Sequence, residues 1–132
     1  MATAALSFRK LRVWQSALDL VEQIYEVTAE FPKSETYGLT SQMRRAAVSI
    51  AANISEGQMR DHLKEFLHFL SVARASLAEL TTEAEIAGRL GYLNPTQLTA
   101  LQDRIAVMFR LLYSLRNSLG SRSAPRRVTT NN

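Results

Sequence analysis

Cysteine is missing from all 132 residues. That excludes a disulfide framework, a thiolate nucleophile and a cysteine-ligated zinc site, and it suits a reducing cytosol. Long apolar runs are missing too. Nothing approaches the roughly 18 residues needed to cross a bilayer, and Met1 to Leu6 carries neither a basic n-region nor a long h-region. No membrane association is expected, and the cytoplasm is the expected location. Glycine is scarce, and none of the five glycines precedes a Lys-Ser or Lys-Thr pair, so there is no phosphate-binding loop. Histidine is scarcer still. Glu65 and His68 have the Glu-x-x-His spacing of di-iron bundles, but such a site needs two of these pairs, and Met59 stands three residues before His62. His62 and His68 project about 120° apart on a helix, which makes them poor joint zinc ligands. No nucleophile elbow occurs. The sequence assigns no catalytic, metal or cofactor-binding residue, so an enzyme is not expected.

Hydrophobic residues make up 46% of the chain, enough for one core without staples. They recur at helical spacing in four blocks. The first uses Trp14, Ala17, Val21, Ile24 and Thr28 and stops before Phe31-Pro32. The second places Leu39, Met43, Ala46, Ala47, Ile50 and Ile54 on one face, with Gly57 as its expected end. A third block, Leu63, Phe66, Leu70, Ala73, Leu77, Leu80, Ala84 and Ala87, alternates steps of three and four like a coiled-coil seam and ends at Leu90-Gly91. Asn94-Pro95 opens the fourth as N-cap and N1 proline, before Leu98, Leu101, Ile105, Met108, Leu112, Leu115 and Leu119. Short connections force sequential helices to lie antiparallel. The expected fold is an all-α, up-and-down four-helix bundle over residues 12–119, preceded by an N-terminal arm (1–11) and followed by a disordered basic tail (120–132).

The formal net charge is +4, but Arg122, Arg126 and Arg127 in the acid-free tail supply three of those charges. The body is nearly neutral. Apolar surface, by contrast, is in surplus. Val107, Phe109, Leu111 and Tyr113 widen the arc of the fourth helix, and Val13, Leu20 and Val27 that of the first. Either these helices are buried from several sides or they form a subunit interface; the interface is the favoured reading, because large exposed apolar patches usually mark association. On the second helix Gln42, Arg45, Ser49, Asn53 and Glu56 form a polar stripe. It reads as solvated surface, as the lining of a lumen or as a helix contact held by charge pairs such as Arg45 with an acid.

An ordered set of residues carries a resemblance. Val13-Trp14-Gln15, Ile24-Tyr25, Phe31-Pro32, Tyr37-Gly38-Leu39, Gln42, Arg44-Arg45-Ala46, Ser49-Ile50, Asn53-Ile54, Glu56-Gly57, Glu65-Phe66, Phe69-Leu70, Glu79-Leu80 and Leu90-Gly91-Tyr92-Leu93 resemble the bacterial four-helix-bundle family first described from open reading frames in 23S ribosomal RNA intervening sequences. The similarity runs from Phe8 to about Leu93. That family also includes the accessory variability proteins of diversity-generating retroelements. The resemblance implies a cyclic homopentamer, and for the retroelement branch a basic surface for nucleic acid and a reverse transcriptase. Its recurrent polar positions fall here on Gln42, Arg44, Arg45, Asn53, Glu56 and Arg60. Relatives commonly have proline inside the second helix, where this chain has Ala51-Ala52, so a kink is not expected there.

The expected function is a non-enzymatic oligomeric scaffold that pools Arg44, Arg45, Arg60 and Lys64 from several copies to hold RNA or DNA. Affinity of that kind falls steeply with salt. The alternative is a protein-interaction module docking a partner on apolar helix surface, with the arginines paired to Glu56, Glu79 or Asp61.

Overall fold

A computed structural model describes residues 7–123. The backbone forms four α-helices, α1 (Arg12–Thr28), α2 (Leu39–Gln58), α3 (Leu63–Arg89) and α4 (Pro95–Ser123), with short 3-10 turns at Ser7–Lys10 and Lys33–Glu35. Each helix packs on the next in chain order and α1 closes against α4, so the bundle is an up-and-down ring of four, with no strand among the described residues.

The helical seams form the core. Ala17, Leu20 and Ile24 of α1, Met43, Ala47, Ile50 and Ile54 of α2, Ala73, Leu77 and Leu80 of α3, and Leu101 and Met108 of α4 are fully or almost fully buried. Burial of these apolar side chains is the main favourable contribution to the fold's stability. The surplus apolar arcs are largely absorbed inside the single chain. Val13 and Leu20 are buried, Val27, Phe109 and Leu111 pack half-buried against the core, and of the residues that widened those two arcs only Tyr113 stands out in solvent.

Helix ends follow local chemistry. Asn94 Oδ1 accepts from the Gln97 N–H at 2.8 Å while Gln97 Oε1 accepts from the Asn94 N–H at 2.9 Å, a reciprocal cap just before Pro95. At the end of α3, Gly91 adopts φ +80°, and the N–H groups of Tyr92 and Gly91 return to Ala87 O (2.9 Å) and Gly88 O (3.1 Å). This left-handed turn satisfies the last carbonyls and favours glycine. Gly57 serves another purpose than the expected helix end. It lies inside α2, and a Cβ there would meet Phe66 Cδ1 at 2.8 Å and Phe69 Cβ at 2.9 Å, so its bare backbone lets α3 come close. Gly120 does not end α4 either, which continues to Ser123. A helical glycine costs only about 1 kcal/mol relative to alanine and stops a helix only when it adopts a left-handed turn. The tail expected from residue 120 is helical to 123, and residues 124–132 lie outside those described.

One end of the bundle is knitted by side chains. Glu35 Oε1 accepts from the Leu39 N–H at 2.9 Å, capping α2, and Glu35 Oε2 accepts from the Tyr92 hydroxyl at 3.0 Å. The Tyr92 ring packs on Phe31 with centroids 5.3 Å apart. The two turns at that end are thereby joined. The bond to Glu35, with desolvation and the carboxylate's charge added, holds the Tyr92 phenol above its usual range.

Candidate functional site

The seven polar residues singled out by sequence do not form one patch. Arg44 is committed to α1: its Nε donates to Thr28 Oγ1 at 2.8 Å, and its guanidinium carbon lies 4.4 Å from the Tyr25 ring centroid. Thr28 is buried and passes its own hydrogen to Ile24 O at 2.6 Å, so Arg44 completes a satisfied internal chain. Asn53 turns back on its own helix, donating to Ser49 O at 2.8 Å and Ser49 Oγ at 3.0 Å. Glu56 and Arg60 form an exposed ion pair at 2.6 Å, and Arg60 also lies over Phe69, 4.8 Å from its centroid.

Gln42 and Arg45 border a polar groove between α2 and α3, with Tyr37, Ser41, Ser49, Ser76, Glu79 and Glu83. The hydroxyls of Ser49 and Ser76 meet at 2.8 Å across the floor, and small residues there keep the two helices close. Glu83 Oε1 is shut off from solvent without a hydrogen-bond partner among the described residues. Burial, and secondarily the charge of Glu79, push the Glu83 carboxyl up to about 7. Arg45 has no ion-pair partner among the described residues, where the pairs are Glu56–Arg60 and Asp19–Arg104, the latter at 3.8 Å.

Lys64 lies elsewhere, on a trough between α3 and α4. Lys64, Leu67, His68, Leu70, Ser71 and Arg74 form one wall and Phe109, Arg110, Leu112, Tyr113 and Arg116 the other, around about 790 Å³. The spacing explains the walls: residues three and four apart share a helix face, and here one face of α3 meets one face of α4. One lysine and three arginines line this space and no acid does. Toward the start of α3 the surface continues to Arg60, Glu65 and Phe69, and toward the end of α4 to Asn117 and Ser121. Buried Leu70 and Leu112 make its floor apolar, while Tyr113 on the rim is 64% exposed. A concave, basic and part-apolar surface of this kind suits an anionic ligand with flat or greasy portions.

Sequence reading assigned Arg74, Arg110 and Arg116 no role. One signal was available: from Arg104 onward the chain has no acidic residue. The basic excess credited to the tail from residue 120 in fact begins inside α4. Glu65 and His68 are exposed, away from the α3 seam as expected. Among the described residues no three histidine, aspartate or glutamate side chains stand close enough together to hold a metal ion, and no helix is long and apolar enough to cross a membrane.

No curated protein matches the chain. Among solved structures, the bundle is similar to a protein of unknown function from the S23 ribosomal protein family of Bacteroides thetaiotaomicron, with TM-score 0.73 and 21% identity over 80% of this chain and 95% of that one. At that identity the likeness speaks for the fold alone. The pattern of the family described as 23S rRNA-intervening sequence protein matches residues 9–114, which takes in α1 to α3 and two thirds of α4. Helix order, seams and that match agree, and the chain belongs to the 23S rRNA-intervening sequence protein family.

Proposed function

We propose that this chain is a cytoplasmic, non-enzymatic helical-bundle scaffold that self-associates and holds nucleic acid along the α3/α4 trough. The observation that carries the reading is the composition of that trough: Lys64, Arg74, Arg110 and Arg116 converge with no acid among the lining residues. Cations with no acid among their neighbours in the trough keep their attraction for phosphates, whereas Glu56, 2.6 Å from Arg60, offsets part of that arginine's positive potential. Arg44, engaged by Thr28 and Tyr25, acts as a bundle strut. Self-association multiplies the trough: several copies, five in the assembly the family resemblance favours, neutralise more phosphates than one.

The test is binding of a mixed pool of short RNA and DNA at low and high salt. Log affinity is expected to fall linearly with log salt, by about 0.7–0.9 per phosphate contacted. The double reversal Arg74→Glu and Arg110→Glu is expected to abolish low-salt binding without moving the thermal midpoint, since both side chains are exposed. Unchanged binding by that variant would reject the trough as the site.

A second reading has its own observation. Tyr25, Tyr37 and Val48 are exposed together along the α1/α2 face, Tyr37 at 96%. Such a face fits a protein partner held by apolar contact, and capture that ignores salt would favour it over the nucleic-acid reading.

A further inference from the structure

The trough has one property that a phosphate-binding surface does not need. Its floor is apolar, built from Leu67, Leu70, Phe109 and Leu112. Phosphates gain nothing from such a floor, and a duplex, whose base faces are stacked inside it, has nothing flat to lay there. We infer that the trough takes single-stranded nucleic acid, with a base stacked against Tyr113 and the sugar-phosphate chain running between the cations of the two walls. This inference rests on the nucleic-acid reading of the same trough and names its substrate class.

Three further observations support it. The Tyr113 ring is mostly exposed and has no aromatic, cation or hydrogen-bond partner among the described residues. An unpartnered aromatic on the rim of a basic groove is what base stacking uses, and it tolerates any base because every base has a π-face. The cations stand on both walls, Lys64 and Arg74 on α3 and Arg110 and Arg116 on α4. Finally, a space of about 790 Å³ falls within the usual range of ligand pockets, room enough for one or two nucleotides.

RNA and DNA single strands share this chemistry, and the experiment separates them. Fluorescence anisotropy at low salt would compare the full chain's affinity for oligo(U), oligo(dU), an abasic strand of equal phosphate number and a duplex, each about 12 nucleotides long, within the usual single-strand site range. A base-bearing strand is expected to bind about 5- to 150-fold more tightly than the abasic strand, the worth of one stacked base; whichever of oligo(U) and oligo(dU) binds tighter names the sugar. Tyr113→Ala should erase that difference without moving the thermal midpoint, and Tyr113→Phe should keep it. Equal binding of base-bearing strand, abasic strand and duplex overturns the inference and leaves the nucleic-acid reading standing, as does a base preference that survives Tyr113→Ala. Failure of every strand, the abasic one included, overturns the nucleic-acid reading itself.

Discussion

Gly57 and Gly88 look alike in the sequence and differ in what surrounds them. A Cβ at Gly57 would collide with Phe69 Cβ and come within 3.2 Å of Phe66 O, parts of α3 that cannot move alone, whereas at Gly88 the obstacle is Leu98 Cδ2, the far end of a flexible side chain. Gly57→Ala should therefore cost about 1–3 kcal/mol of overpacking, only partly offset by a helix-propensity gain of about 1 kcal/mol. Gly88→Ala should be neutral or slightly stabilising. Thermal unfolding of the two variants side by side checks the contrast. Glu83 gives a pH prediction. Its folded carboxyl titrates near 7 and its reference value is 4.5, so between those values the folded state binds the extra proton. Stability accordingly declines as pH rises from about 4.5 to about 7 and levels off above, because burial disfavours the ionised Glu83 carboxylate and the charge of Glu79 adds to that penalty. Glu83→Gln should flatten this slope and raise the midpoint at pH 8; a slope unchanged in the variant would assign it to other groups.

The helices themselves were legible in sequence. The alternating threes and fours of α3 and α4 fell on core positions almost without exception, and Asn94-Pro95 marked a start that the structure places there, because periodicity and capping are properties of neighbours along the chain. The candidate site was far less legible. Arg74 and Arg110 lie 36 positions apart, and only the antiparallel register of α3 and α4 makes them opposite walls of one trough. The stripe on α2 was correctly seen as polar, yet sequence could not tell that Asn53 bonds its own helix while Arg45 remains without a partner among the described residues. Contacts between turns were equally hidden. Glu35 caps α2 and anchors Tyr92 from the other turn, two jobs for one carboxylate. Glu35→Ala should lower stability by about 1–2 kcal/mol, read as a shifted urea midpoint at constant slope, and Glu35→Gln, which keeps an acceptor for the Leu39 N–H, should recover part of the loss.

For the whole molecule, the exposed apolar surface governs how many copies act together. Most of the apolar surplus is consumed within one chain, but Tyr25, Tyr37 and Val48 form a remaining exposed patch, with Met59, Ile86 and Leu90 exposed elsewhere. Self-association through such surface is insensitive to salt, unlike phosphate binding. Light scattering behind size exclusion should give an oligomer near five times 14.8 kDa, unchanged between low and high salt; a monomer at both would remove self-association from the proposed function. Tyr37→Glu, at an almost fully exposed position, should weaken that oligomer without unfolding the subunit.

The ring of helices in chain order also has a kinetic meaning. Every extensive helix pairing joins consecutive helices except the closure of α1 on α4. As the polypeptide is synthesised, each helix meets its partner as soon as the next one emerges, and only that closure must wait for the last. Bundles with such local topology fold on the order of microseconds to milliseconds. Their apolar seams are therefore open to misassociation for a correspondingly short time.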